Sequence, residues 1–110
     1  MAVSAPFTPT GNTVTFTATT TAPATVQAVS TTLGGNQYRL INAGNVTVFL
    51  GYGTTSDAAN TAAAVVTSSG KALPLLAGTD EIITFAPNAH FTGVTGSGTA
   101  VIYITPGDGD

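Results

Sequence analysis

The sequence predicts an all-β chain, an eight- or nine-stranded antiparallel sandwich with a jelly-roll-like form. Three observations predict it. Thr, Val and Ile together supply about a third of the residues, and these β-branched side chains are stiff at χ1 and pack well on a pleated surface. Helix formers with long side chains are scarce, with a single Glu, Lys, Arg and Met in 110 residues. The 13 glycines and 6 prolines fall at intervals, as turns between short strands require.

Each element follows in chain order. Residues 1–11 read as an extended N-terminal arm, with Pro6 and Pro9 bracketing Phe7. Phe7 and Pro9 are candidate partner contacts there, because an apolar anchor in an extended segment has few competing contacts of its own. The sandwich domain spans residues 12–106, and residues 107–110 read as a flexible tail. In "TVTFTAT", Val14, Phe16 and Ala18 face one way and the threonines the other, as on a half-buried strand. "TVQAV" (Thr25 to Val29) is the next strand. "QYRLI" and "VTVFL" flank "NAGN", Asn42 to Asn45, whose composition predicts a tight turn and hence a hairpin.

Residues 51–70 predict a surface loop around Asp57 and a short strand near Ala63 to Thr67. The alternative is one helical turn in "SDAANTAA", capped by Ser56 or Asp57. "KALPLL" carries Pro74, which cannot donate to a ladder and suits an edge strand. "EIITF", "HFTGV" and "TAVIYIT" are further strands, separated by "PNA" and "TGSG". The last is apolar on both faces. It is therefore central between two layers or committed in part to a partner, with Ile102 and Ile104 the candidate contacts in a symmetric homodimer or homotrimer.

Composition excludes several functions. Only 6% of the residues are charged, against about 25% in an average soluble domain. Two cations, Arg39 and Lys71, cannot neutralise a run of phosphates or hold an anionic membrane surface. Without cysteine there is neither a disulfide framework nor a thiolate metal site. The first residues show no signal-peptide pattern and no stretch approaches the ~18 apolar residues of a membrane span. A soluble protein made in the cytosol is expected.

The opportunities for chemistry are few. Asp80 and Glu81 are adjacent, so on a strand they point to opposite faces and cannot converge on one bond. His90 is the only histidine, whereas a metal site needs three or four ligands. The terminal "GDGD" lacks the spaced ligands of a calcium loop. No glycine-rich stretch precedes a helix with a lysine, so there is no phosphate loop. No enzyme activity, cofactor or metal is expected.

"RLINAGNVTVFLGYG", "LPLLAGTDEIITF" and "GTAVIYITPGDG" together resemble small β-sandwich virion proteins of tailed bacteriophages. The shared features are "N-x-G", a "V-F-L-G-x-G" strand, "P-L-x-A-G-x-x-E-x-I" and a final "G-T-A-x-x-Y-x-T-P-G" strand, covering roughly residues 38–108. The resemblance implies a capsid decoration or cement protein with a jelly-roll-like fold, bound to the major capsid protein or another virion protein. It implies residence in the virion after synthesis in the host cytoplasm, and it carries no catalytic residue. Two other readings stand beside it: a tail- or fibre-associated virion protein, and a carbohydrate-binding module with Tyr52 as its sugar platform.

Overall fold

Alternation at period two gives each strand one apolar face, and two sheets stacked face to face bury those faces together. The computed structural model describes residues 8–9, 11–21, 23–29, 37–63 and 72–108. In order, the strands are β1 (Thr8–Pro9), β2 (Val14–Ala18), β3 (Val26–Gln27), β4 (Gln37–Asn42) and β5 (Val48–Gly53). A short helix, α1 (Ser56–Ala62), precedes β6 (Leu73–Leu75), β7 (Asp80–Thr84), β8 (His90–Thr95) and β9 (Ala100–Asp108).

All strand pairs are antiparallel. Sheet A runs β2–β9–β4–β7, with β1 beside the far end of β9 on the same side as β2. Sheet B runs β3–β8–β5–β6. The nested pairs β2·β9, β3·β8, β4·β7 and β5·β6 form one long ribbon with α1 at its tip. Rolling that ribbon so that β4 meets β9 and β5 meets β8 produces two Greek keys, the jelly roll. The expected fold class is the observed one.

Phe16, Ala18, Tyr38, Leu40, Ile102 and Ile104 from sheet A meet Val48, Leu50, Leu75 and Phe91 from sheet B in one buried core. Tyr38 and Phe91 cross edge to face with centroids 5.0 Å apart. The Tyr38 hydroxyl donates to Ala86 O at 2.6 Å and accepts from Ala89 N at 3.0 Å. It thereby ties β4 to the turn that enters β8. Burial pushes its pKa up from the usual phenol value, against the lowering effect of the backbone donors.

Four expectations change. Residues 42–45 do not close a hairpin, because β4 belongs to sheet A and β5 to sheet B. The chain turns a corner there instead, pinned by the buried side chain of Asn42. Its Nδ2 donates to Val46 O (2.9 Å) and Leu75 O (2.8 Å), while its Oδ1 accepts from Gly44 N (2.9 Å). A Cβ on Gly44 would lie 2.4 Å from that of Ala100, so the corner requires glycine.

In the 51–70 segment the helix prevails over the loop, with Thr55 as N-cap in place of the expected Ser56 or Asp57. Thr55 Oγ1 accepts from Ala58 N at 3.1 Å. Ala63 is the helix C-cap and not a strand start, and residues 64–70 lie outside the described residues. Of the expected tail, Gly107 and Asp108 belong to β9, where they pair with β1, and residues 109–110 lie outside the described residues. That same pairing orders Thr8 and Pro9 of the arm, whereas Phe7 lies outside the described residues. Pro74 does sit on an edge strand, β6.

Candidate interaction surface

The two outer faces of the sandwich differ. On sheet B, the inward positions of β5 are Val48, Leu50 and Tyr52, so Phe49, Gly51 and Gly53 face outward. Helix α1 packs on that side, against β5 and β8. A Cβ on Gly51 would lie 2.4 Å from Ala59 O and from Ala63 N, and one on Gly53 would lie 2.6 Å from Ala58 Cβ. The two glycines are what admit the helix. Thr92 points outward and is fully buried, its hydroxyl donating to Pro23 O at 2.9 Å. Thr25 Oγ1 meets Ser56 Oγ at 2.6 Å, joining the segment before β3 to the helix. Sheet B is covered.

Sheet A carries no such layer among the described residues. The register aligns Thr15, Tyr103, Ile41 and Asp80 in one row across its outer face. Thr105, Arg39 and Ile82 form the next row, and Thr17 and Val101 flank Tyr103 on the other side. Tyr103 is 41% exposed and Ile82 51%. The threonines are partly self-satisfied: Thr13 and Thr105 share a hydrogen bond of 2.7 Å, and Thr15 donates to Ile102 O at 2.9 Å. The surface is hydroxyl-rich and apolar at its centre.

One ion pair marks its rim. Arg39 and Asp80 are diagonal neighbours on β4 and β7. Arg39 Nε donates to both carboxylate oxygens at 3.1 Å, and Nη2 donates to Oδ2. The guanidinium's hydrogen bonds hold the Asp80 carboxyl below the ordinary carboxylate range, and Asp80 in turn raises Arg39. Both groups are exposed, so solvent screens the pair and little stability comes from it.

The candidates from sequence separate on this geometry. Ile102 and Ile104 are fully buried in the core. Residues two apart on a strand share a face, and here that face is the inner one, so neither can touch a partner. The outward residues of β9 are Val101, Tyr103 and Thr105. Pro9 is exposed on β1 opposite Gly107.

Tyr52 is no sugar platform, because it lies inside β5 and not in a loop. Its ring meets Phe85 edge to face at 4.9 Å and lies 6.1 Å from that of Phe91. Asp80 and Glu81 diverge as expected. Asp80 joins the outer face, while Glu81 sits across from Leu40 and is exposed at the sheet edge. His90 starts β8 opposite Gly53. Among the described residues no cluster of His, Cys, Asp and Glu could hold a metal ion. No helix among them is long and apolar enough to cross a membrane.

Tyr103, Ile82, Ile41 and Val101 were not singled out from sequence. The signal was nonetheless present: once Ile102 and Ile104 are assigned to the core, period two sends their neighbours outward. No protein-family model, curated protein or solved structure matches the chain.

Proposed function

We propose that this chain is a structural virion protein that binds the outside of a bacteriophage capsid and stabilises it, docking through the outer face of sheet A. The observation that carries the proposal is the one-sided cover of the sandwich. Helix α1 covers the Gly51 and Gly53 end of β5 and the neighbouring part of β8 on sheet B, whereas sheet A presents Tyr103 and Ile82 among threonines with no such cover among the described residues. An apolar centre in a hydroxyl frame suits a protein partner. The resemblance of residues 38–108 to phage virion proteins supplies the class of that partner, the major capsid protein.

The chemistry of the face sets how it would bind. Its cation is already paired with Asp80, so affinity must come from apolar burial and from backbone and hydroxyl hydrogen bonds. Strand spacing and rise make one such face about 300 Å², less than the roughly 800 Å² per partner of a standard interface. Several copies acting together would hold the head more firmly than one.

Co-sedimentation with purified heads stripped of this protein tests the reading. Occupancy should stay level, or rise slightly, between low salt and about 0.5 M NaCl, because apolar burial is not screened. Tyr103→Glu should abolish it. A steep loss with salt, or undiminished binding by Tyr103→Glu, overturns the assignment of the face. Binding to tails and not to heads would make the protein tail-associated.

A further inference from the structure

Every open sheet has edges, and an edge strand presents unpaired N–H and C=O groups that another strand can meet. Among the described residues this sandwich protects its edges unequally. β6 is three residues long with Pro74 at its middle, and β3 is two residues long. β1 is equally short and contains Pro9. β7 is longer, but it carries Asp80 and Glu81. Proline, brevity and charge are the devices that keep an edge from pairing. β2 has none of them. Its five residues, Val14–Ala18, hold no charge and no proline, and they pair on one side only, with β9.

The sequence of that edge is also complementary to itself. In residues 14–18, V-T-F-T-A, threonine occupies each odd position and an apolar residue each even one, symmetrically about Phe16; Thr19 just beyond already accepts from Thr95 N of sheet B and ends the free edge. A two-fold axis normal to the sheet and passing beside Phe16 would set two copies of β2 antiparallel. Thr15 of each copy then faces Thr17 of the other, and Val14 faces Ala18. Each side chain keeps the face it has in the single chain: Phe16 and Ala18 toward the cores, Thr15 and Thr17 outward and exposed as they now are. Thr–Thr pairs across antiparallel strands are favourable, and no like charges meet.

We infer that β2 is a self-association edge: two copies of this chain join through antiparallel β2–β2 pairing into one continuous sheet. The contact is isologous, so it closes at the dimer and does not propagate. Five paired residues bury less than the roughly 1,000 Å² of a stable free-standing interface. The dimer therefore forms with rising concentration, in the micromolar range and above. Its two outer faces lie on the same side, which doubles the area of the surface around Tyr103. The β2–β2 dimer needs no capsid partner.

Sedimentation velocity from about 10 µM to 1 mM tests it. The wild type should move from a 10.8 kDa species toward one of twice that mass. Thr15→Lys/Thr17→Lys places four lysines together at the junction and should weaken association by roughly tenfold or more. Mixed with Thr15→Glu/Thr17→Glu, it should dimerise again, a rescue that damage to the fold would not give.

Should the charged variants fail to fold, single cysteines decide, since the chain has none of its own. Thr15→Cys mixed with Thr17→Cys should cross-link on mild oxidation, while either alone should cross-link poorly. Three results would overturn the inference: a wild type monomeric up to 1 mM, an association indifferent to the charge pairs, or cysteines that join equally well in any combination. Head binding is measured separately, so loss of the dimer and loss of the capsid reading are distinguishable.

Discussion

Asn42→Ala should destabilise this fold by untying the corner between the sheets. Asn42 is fully buried, and its amide satisfies three backbone groups: Val46 O, Leu75 O and Gly44 N. Alanine leaves all three without their partner. A buried group stripped of its hydrogen bond costs about 1–3 kcal/mol, and water can reach part of this site, so the total is about 2–4 kcal/mol. Against a domain stability of about 5–15 kcal/mol, that corresponds to a fall in Tm of roughly 10–20 °C.

Asn42→Asp separates the hydrogen bonds from simple loss of volume. It sets a carboxylate against two carbonyl oxygens, so its folded-state pKa rises above the unfolded one. The folded state then binds more protons, and stability falls as pH rises through that raised value. At pH 7 Asn42→Asp should be less stable than Asn42→Ala, with the gap closing as pH is lowered toward 4. Asn45→Ala, exposed in the same loop, is the control and should change little. Urea denaturation of all four proteins reads these differences. A loss below about 0.5 kcal/mol for Asn42→Ala, within the range of ordinary surface changes, would refute the role given to the corner.

Gly51→Val should cost at least about 2 kcal/mol, because the new side chain enters the space of Ala59 O and Ala63 N and displaces α1; chemical denaturation measures it. Tyr38→Phe should lose about 1–3 kcal/mol, because it leaves Ala86 O and Ala89 N without their shared partner; calorimetry would show it as a lower Tm. Asp80→Asn acts through pH. Asp80's folded pKa is lowered by Arg39, so its contribution is present above the unfolded value of about 3.9 and is lost as pH falls through the folded value. A Tm-versus-pH series should therefore fall less steeply below pH 4 for Asp80→Asn than for the wild type.

The strands were legible because period two and β-branching are local signals. β2, β7, β8 and β9 lie where alternation and turn residues put them, and Pro74 marks an edge as its missing N–H requires. The pairing was not legible. "QYRLINAGNVTVFL" contains everything a hairpin needs, yet β4 and β5 go to opposite sheets. The competing force is long-range: the inner residues of β4 pack with β9, those of β5 with β8, and Asn42 ties off the corner in between. The glycines of "FLGYG" looked like turn formers. They are flat ground for a helix, which is visible only once α1 is in place.

The site failed in the sequence for a related reason. "AVIYI" is apolar at every position, so alternation could not say which face the core would take. Burial of Ile102 and Ile104 decides it, and Tyr103 follows outward. At β7, the sequence places the strand start at Glu81, in "EIITF", but Asp80 is the first residue of the strand. There it reaches across to Arg39.

Cryo-electron microscopy of purified heads, with this protein added back, would show which face of the sandwich meets the capsid. Density for a jelly roll is expected on the outer surface, with β2, β9, β4 and β7 against the capsid lattice, Tyr103 at the contact and α1 facing solvent. Heads that show no added density, or a sandwich that meets the capsid through α1 and sheet B, would contradict it.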